Sequence, residues 1–341
     1  MQDIEKLASF LVHPVTKKPL KRKGALLVGE KRSVYAIKNW IPRFVTKISD
    51  AGQEQVQKVF GYKWTRQDWG HEKKSRDFYA RWVRESFNCP SDEEFFKLFK
   101  NCHHILDAGC GSGFFSSYLY LSPSLKESLI FNVDISSSID IALKHSKGHH
   151  NAFFVQADIN QLPFVYELFD SIISLGVLHH TPDTFRSLSN LVLYLKKGGR
   201  IFLYIYKKKS PIREFTDDFL REYISAFPPE KAWEEAVRLT KLGKYLSDLK
   251  LTLNIPEGVP LLGFKKGRMD LQRFFYWHIL KCFWNEDMDF DYNVMINFDW
   301  YYPKYAHRHT ESEIINWFQK LKLKLEIMND VESGFYIVAK Q

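Results

Sequence analysis

A chain of 341 residues that is 45% hydrophobic and 26% charged has material for a substantial core, and global disorder is excluded. Its formal charge of +9 is compatible with nucleic acid, an anionic membrane surface or a phosphorylated substrate. The charge sits in short scattered clusters (Lys17-Lys18, Lys21-Arg22-Lys23, Lys207 to Lys209, Lys265-Lys266) that are too brief for a nucleic-acid arm and read as solvated surface. No apolar run reaches the roughly 18 residues of a membrane span, no N-terminal signal pattern appears, and Cys89, Cys102, Cys110 and Cys282 form no Cys-x-x-Cys pair, so a reducing, cytoplasmic setting is expected.

Residues 1–48 form a small opening module. A short helix over 4–11 precedes turns at His13-Pro14 and Lys18-Pro19, and short strands are predicted over 25–28 and 33–37. Residues 49–100 are polar, aromatic and helical, opening with Val59-Phe-Gly-Tyr-Lys-Trp64 and continuing through Trp69-Gly70. Phe78, Tyr79, Trp82 and Val83 recur at helical spacing, as do Phe95, Phe96 and Phe99. Such stripes are core, although a helix placed just before a nucleotide-binding sheet can also lie over a cofactor.

From residue 101 strands and helices alternate. Strands are expected over 104–108, 129–135, 152–157, 169–175 and 200–206. Helices are expected over 113–121, 136–146, 162–166 (short) and 183–195. The strands are apolar on both faces, as burial between two helix layers demands. Residues 207–307 break the alternation and are too long for a loop, so they are expected to fold as a lid or substrate subdomain. The alternation resumes at 308–341, where Thr310 and Glu313 make a capping box before a helix over 314–320. Two strands over 322–327 and 335–339 then form an antiparallel hairpin.

His104-Ile-Leu-Asp-Ala-Gly-Cys-Gly-Ser-Gly-Phe-Phe115 is the most informative stretch: a buried strand, a glycine turn, then a helix. Gly109, Gly111 and Gly113 let a ligand lie directly on main-chain N–H groups. The spacing is Gly-x-Gly-x-Gly, not the Gly-x-Gly-x-x-Gly of dinucleotide-binding folds. Asp107, just ahead of the first glycine, repels a pyrophosphate and suits a cationic ligand. The ligand that fits is S-adenosylmethionine, with its ammonium and sulfonium.

Further candidates stand at the other strand ends. Asp134, followed by Ile135, can accept the hydroxyls of a ribose, with a helix cap as the plainer role. Asp158 can accept an adenine amine beside the N–H of Ile159, again with a cap as the alternative. Leu175 and Gly176, in the loop after the fourth strand, would pass close to a methionine moiety. His179 and His180 are the candidates for a general base, with packing and pocket-shaping as the alternative. Tyr301, Tyr302, Tyr305 and His307 form a second cluster, either lining a substrate pocket or packing under the lid. Lys207 to Lys209 and Arg213 read as exposed charge, with a substrate phosphate as the other possibility. No metal is implied.

Asp107-Ala-Gly-Cys-Gly-Ser-Gly113, Asp134, Ala157-Asp158, Gly176-Val-Leu-His-His180 and Leu195-Lys-Lys-Gly-Gly-Arg-Ile201 together resemble the class I S-adenosylmethionine-dependent methyltransferases (type 11/12-like) over about residues 100–206 and 308–340. The resemblance implies an α/β Rossmann-like, seven-stranded sheet of order 3-2-1-4-5-7-6, strand 7 antiparallel, with helices on both faces. Residues 11–20 and 35–44 resemble the zinc-ribbon-like domain of methyltransferase activators. The metal ligands are missing, so no zinc is expected there and a stabilising or docking role is. Four pieces follow: the 1–48 module, a helical cofactor-covering segment over 49–100, the methyltransferase core over 101–206 and 308–341, and the 207–307 insertion.

The function expected is methyl transfer to a small-molecule acceptor, a sugar-like or natural-product hydroxyl, carboxyl or amine. The alternatives are an RNA- or tRNA-modifying methyltransferase, for which no Asn-Pro-Pro-Tyr motif follows the fourth strand, and a non-catalytic cofactor-binding partner protein. The sequence leaves the oligomeric state open.

Overall fold

A computed structural model describes residues 2–30, 33–45, 48, 50–66, 73–146 and 148–341; the Trp69-Gly70 pair lies outside them. The chain divides into two compact units, Met1–Lys207 with His307–Gln341, and Lys208–Ala306.

In the first unit, α1 (Ile4–Ala8) leads to four short strands, β1 (Lys21–Lys23), β2 (Leu26–Val28), β3 (Val34–Lys38) and β4 (Ile41–Arg43). Helices α2 (Ala51–Arg66), α3 (Lys73–Ser86) and α4 (Asp92–Lys97) follow. The alternating core then runs β5 (His104–Ala108), α5 (Phe114–Leu119), β6 (Leu129–Asp134), α6 (Ser138–His145), β7 (Ala152–Gln156), β8 (Phe169–Leu175), α7 (Thr184–Val192) and β9 (Leu195–Tyr206).

The second unit contributes α8 (Pro211–Ile224), α9 (Pro229–Asp248), β10 (Thr252–Ile255), β11 (Gly267–Asp270), α10 (Leu271–His278) and α11 (Phe290–Tyr301). The chain then closes the first unit with α12 (Glu311–Lys320), β12 (Lys324–Asp330) and β13 (Gly334–Lys340).

The first unit is built on one sheet of order β1-β2-β3-β4-β7-β6-β5-β8-β9-β13-β12. Its central strands are parallel, and β13 runs antiparallel to both β9 and β12. Seven strands are therefore corrected to eleven. The order of the seven from β7 to β12 is the expected 3-2-1-4-5-7-6, and β1–β4 continue it past β7. The reason is an edge that the opening module consumes. Phe44 N–H donates to the Gln156 carbonyl (2.8 Å), and the Gln2 amide both accepts from Phe154 N–H (2.7 Å) and donates to its carbonyl (3.1 Å). Backbone groups that would face solvent on β7 are paired instead.

Large apolar side chains fill both faces of the sheet. Leu7, Leu27 and Phe44 of the opening module join Phe131, Phe153 and Phe169 in one cluster. Phe87, Phe95, Phe99, Phe202 and Tyr336 form another, in which Phe99 stacks on Phe202 at 4.5 Å. Val83, Phe95 and Phe99 of the two aromatic stripes are thus core, while Phe78 and Trp82 are 54% and 42% exposed.

Two local expectations are corrected. No helix forms over 162–166: Pro163 lacks an N–H, and Leu162 before it is extended (φ −64°, ψ 136°). Helix α6 begins at Ser138 behind the cap Ser137, not at 136, because the Ser136 hydroxyl donates to Asp134 (2.7 Å).

The second unit is helical, with α11 packed on α9 and one two-stranded hairpin, β10-β11. The extended chain after α10 runs so close to α9 that a Cβ on Gly243 would stand 2.4 Å from the Cys282 carbonyl oxygen. Buried amides hold this chain in place. Asn297 accepts from Phe283 N–H (2.8 Å), and Gln272 donates to the Cys282 carbonyl (2.9 Å). Among the described residues no helix is long and apolar enough to cross a membrane.

Candidate cofactor and active site

The glycine turn leaves the end of β5 between β6 and β8. Gly109 and Cys110 donate their N–H groups to the Val133 carbonyl (2.7 and 3.0 Å), which folds the turn back over β6. Gly109 has φ +85°, and a Cβ there would lie 2.4 Å from a Val177 methyl. Gly111 has φ +56°, and its missing side chain makes room for the Trp64 indole, 3.0 Å from where a Cβ would stand. Both positions therefore need glycine for conformation and for space. Gly113 ends the turn and precedes the first residue of α5.

Three carboxylates stand at strand ends. Asp134 is 7% exposed; one oxygen accepts Gly111 N–H (2.9 Å), and the other accepts the Ser136 N–H (2.8 Å) and hydroxyl (2.7 Å). It shapes the turn directly. One acceptor position remains, on the oxygen that takes Gly111.

Asp107 is buried, and Ser116 of α5 donates its hydroxyl to it at 2.5 Å. Burial pushes its pKa up to about 7. The Ser116 hydrogen bond opposes this rise and the Asp134 charge adds to it. Asp158 is more open; it caps the short turn Ile159–Gln161 by accepting Asn160 N–H (2.8 Å), and burial raises its pKa. Its capping role is thus observed.

Helix α2 covers this cradle. Gln57 donates to the Ile135 carbonyl (2.8 Å), the Trp64 indole stands over Gly111, and the Phe60 ring meets His180 edge-on at 5.1 Å. Among the described residues Ser112, inside the turn, has a buried hydroxyl with no hydrogen-bond partner. The N–H groups of Gly109, Cys110, Gly111 and Gly113 are already spent on Val133, Asp134 and Cys110, which corrects the expectation that a ligand lies on them. The orphaned Ser112 hydroxyl and two buried acids with no cation partner among the described residues fit a ligand that brings a positive charge and hydroxyl groups. S-adenosylmethionine is such a ligand.

The loop after β8 supplies the remaining candidates. Gly176 N–H donates to the Tyr204 carbonyl (3.3 Å), and Leu175 is the last residue of β8. His179 is fully buried and stacked on Tyr206, with ring centroids 3.6 Å apart. Its Nδ1 accepts the Tyr206 N–H (3.4 Å), so the neutral ring carries its proton on Nε2, which has no partner among the described residues. Burial, with His180, His309 and His307 nearby, holds its pKa well below the ordinary histidine value. His180 is 4% exposed and lies against His179, Tyr206 and Phe60.

The second cluster is divided. His307 lies in the first unit, donating its N–H to the His179 carbonyl (2.9 Å). Tyr301, Tyr302 and Tyr305 belong to the second unit. There the Tyr301 hydroxyl donates to Asp217 (2.7 Å) and the Tyr302 hydroxyl donates to the Phe227 carbonyl (3.2 Å).

Sequence reasoning did not identify Ser112, Ser116, Ser136 or Gln57. Their small polar side chains act through pairings that only the folded turn reveals. Trp64 and Phe60 lay within an aromatic run already singled out.

Residues 106–203 match a family model described as a methyltransferase domain. The chain is 34% identical over 101 residues to a ubiquinone biosynthesis O-methyltransferase of Coxiella burnetii, covering 29% of this chain and 42% of that protein. It is 29% identical over 188 residues to ribosomal RNA large subunit methyltransferase E of Brachyspira hyodysenteriae, covering 48% of this chain and 92% of that protein. A solved structure of the Burkholderia thailandensis 1,6-didemethyltoxoflavin-N1-methyltransferase, with S-adenosylhomocysteine bound, overlays at TM-score 0.45 and 12% identity, covering 93% of this chain and 99% of that one. The chain thus spans less than half the length of the first of these relatives. It carries an S-adenosylmethionine-dependent methyltransferase domain, and S-adenosylmethionine is the cofactor of that domain.

Proposed function

We propose that the chain transfers a methyl group from S-adenosylmethionine to a hydroxyl, carboxyl or amine of a small sugar-like or natural-product acceptor. The observation that carries this reading is the glycine cradle, closed by Asp134 on one side and Trp64 on the other. When bound, the cofactor supplies an electrophilic methyl on a sulfonium.

In this reading the residues divide the work. Asp134 accepts a ribose hydroxyl at its one remaining acceptor position. Asp107 faces the positive charge, and the Gly109 to Gly113 turn with the Ser112 hydroxyl seats the methionine part beside Leu175 and Gly176. Asp158 and the N–H of Ile159 stand where an adenine edge would meet β7. Helix α2 excludes water.

His180 is the better candidate for a general base. His179 has its Nδ1 lone pair engaged and its basicity suppressed, so it is a hydrogen-bond donor and a support for His180. The tyrosines at 301 and 302 have committed hydroxyls, so their contribution to an acceptor would come from ring faces. Residues 1–48 are read as a zinc-ribbon-like module without its metal, whose strands serve the sheet edge.

A second reading, methylation of RNA, is favoured by the charge of +9 and by the ribosomal RNA methyltransferase among the relatives. Methyl transfer from labelled cofactor into a fractionated small-metabolite extract, set against transfer into bulk RNA, separates the two. Label in the metabolite fraction is expected, and label confined to RNA overturns the first reading. Binding to bulk tRNA that falls steeply with salt would also speak for RNA.

A further inference from the structure

Residues 1–48 hold eleven lysines and arginines against three acids, a formal +8 of the +9 carried by the whole chain. Lys31, Arg32 and Lys47 among them lie outside the described residues. The three acids are committed. Asp3 caps α1 by accepting Lys6 N–H (3.0 Å), Glu5 pairs with Arg22, and Glu30 pairs with Lys18 (2.7 Å). A further pair ties the module to α6, where Asp140 takes Arg43 (2.6 Å) and Asn39 (3.1 Å).

Strand alternation and register place the uncommitted cations on one face. Leu27 is fully buried beneath the sheet. Lys21, Lys23, Leu26, Val28, Val34 and Ala36 point to the opposite side, and Lys38 follows two residues along β3. No acid stands at any of these positions. The side chains of Lys21, Lys23 and Lys38 are exposed and make no hydrogen bond, ion pair or ring contact among the described residues. Leu26 and Val34 on the same face are 41% and 47% exposed. On β4 this face is covered, because Ile41 joins Ile139 and Ala142 of α6 in a buried cluster. On β1–β3 it lies open.

An aromatic side chain stands at the end of this face. Lys38 pairs with Ile41, so Asn39 and Trp40 form a two-residue turn, with φ +54° and +68°. Such turns favour asparagine and glycine, and a bulky side chain is strained there. The Trp40 carbonyl accepts from the Gln2 amide, which fixes the turn. The indole is 47% exposed and has no ring or hydrogen-bond partner among the described residues. A rule of local conformation is thus broken to hold an indole in solvent, and burial does not account for it.

We infer that the opening module docks on an anionic lipid bilayer, with Lys21, Lys23 and Lys38 meeting lipid phosphates and Trp40 entering the headgroup layer beside Leu26 and Val34. Cations gathered on one face sum their attraction to a negative surface. Indoles settle at the headgroup level, and exposed aliphatic side chains gain by leaving water there. RNA is served less well, because a single strand needs several stacking platforms and this face offers one aromatic ring among aliphatic side chains. Docking through this face uses no residue of the cofactor cradle.

Co-sedimentation of the full chain with vesicles of phosphatidylcholine alone, and of phosphatidylcholine mixed with phosphatidylglycerol, tests this. Binding is expected only to the mixed vesicles and falls as salt is raised, because the surface potential acts within a Debye length. The double variant Lys21→Ala/Lys23→Ala, which has no partners to lose, is expected to keep its melting temperature and to bind roughly 30-fold more weakly, about fivefold for each lysine. Trp40→Gly, which suits the positive φ of the turn, is expected to weaken binding severalfold without lowering the melting temperature. S-adenosylhomocysteine binding is expected to be unchanged in both variants, which separates failure of this surface from failure of the cofactor site. A chain that stays in solution beside the mixed vesicles at low salt, one that binds bulk tRNA in preference to them, or binding retained in full by both variants overturns the inference.

Discussion

The two units bury carboxylates in opposite ways. In the cofactor cradle, Asp107 has a serine hydroxyl for a partner and no cation, and its pKa climbs to about 7. In the inserted unit, Asp217 receives four donors including an arginine, and its pKa is held below the ordinary carboxylate value despite burial. One region has an acid with no cation beside it; the other has an acid saturated by donors, an arginine among them. A buried charge without its counterpart is costly to a folded chain, and functional sites are where such costs collect. The contrast teaches that a carboxylate already paired with arginine is part of the frame of the insertion, whereas the unpaired one in the cradle stands where the proposed cofactor would bring a positive charge.

The largest effect expected from breaking this contrast is in the insertion. Asp217→Ala strands Arg213, and chemical denaturation should show a loss of about 3–5 kcal/mol, as for other buried pairs deprived of one member. A loss under about 1 kcal/mol would mean that the network carries little weight.

In the cradle, Asp134→Ala removes the acceptor of the Gly111 and Ser136 donors as well as the proposed ribose contact. S-adenosylhomocysteine affinity should fall by about 1.5–3 kcal/mol, roughly 10- to 100-fold, by titration calorimetry. Gly111→Ala places a side chain in the left-handed region at about 1–2 kcal/mol. It also presses on Trp64, so both melting temperature and cofactor affinity should drop.

The smallest effect is the most diagnostic of sign. In the proposed function Asp107 meets the cofactor ionised, and its pKa is about 7 in the ligand-free chain. Affinity should therefore weaken about tenfold per pH unit below 7 and level off above it, with proton uptake by the released enzyme. In the ligand-free chain the sign reverses. A folded-state pKa raised above 3.8 stabilises the fold at low pH, and that contribution is lost as pH rises through 7. Asp107→Asn should flatten both dependences; a wild-type profile in either would remove Asp107 from the account.

Much of the cradle was legible before any coordinates. Apolar strands with glycine turns and acidic tips report directly on a parallel sheet, because burial on both faces and close main-chain approach allow few other residues. The eleven-stranded extent was not legible. Strands of three residues, such as β4, owe their pairing to tertiary partners, as Arg43 does to Gln156 of β7, rather than to local propensity. The 162–166 segment was misread because its apolar residues outweighed Pro163. Arg213 looked like surface charge beside three lysines, and its burial depends on Asp217, one helical turn later, and on Trp300, far along the chain.

The central claim is that the turn from Gly109 to Gly113, braced by Asp107 and Asp134, holds an adenosyl sulfonium. Titration calorimetry of the purified chain with S-adenosylhomocysteine at pH 8 tests it most directly. Saturable binding at one site per chain, abolished or strongly weakened by Asp134→Ala, is the expected result. Absence of heat together with absence of any thermal stabilisation would contradict it.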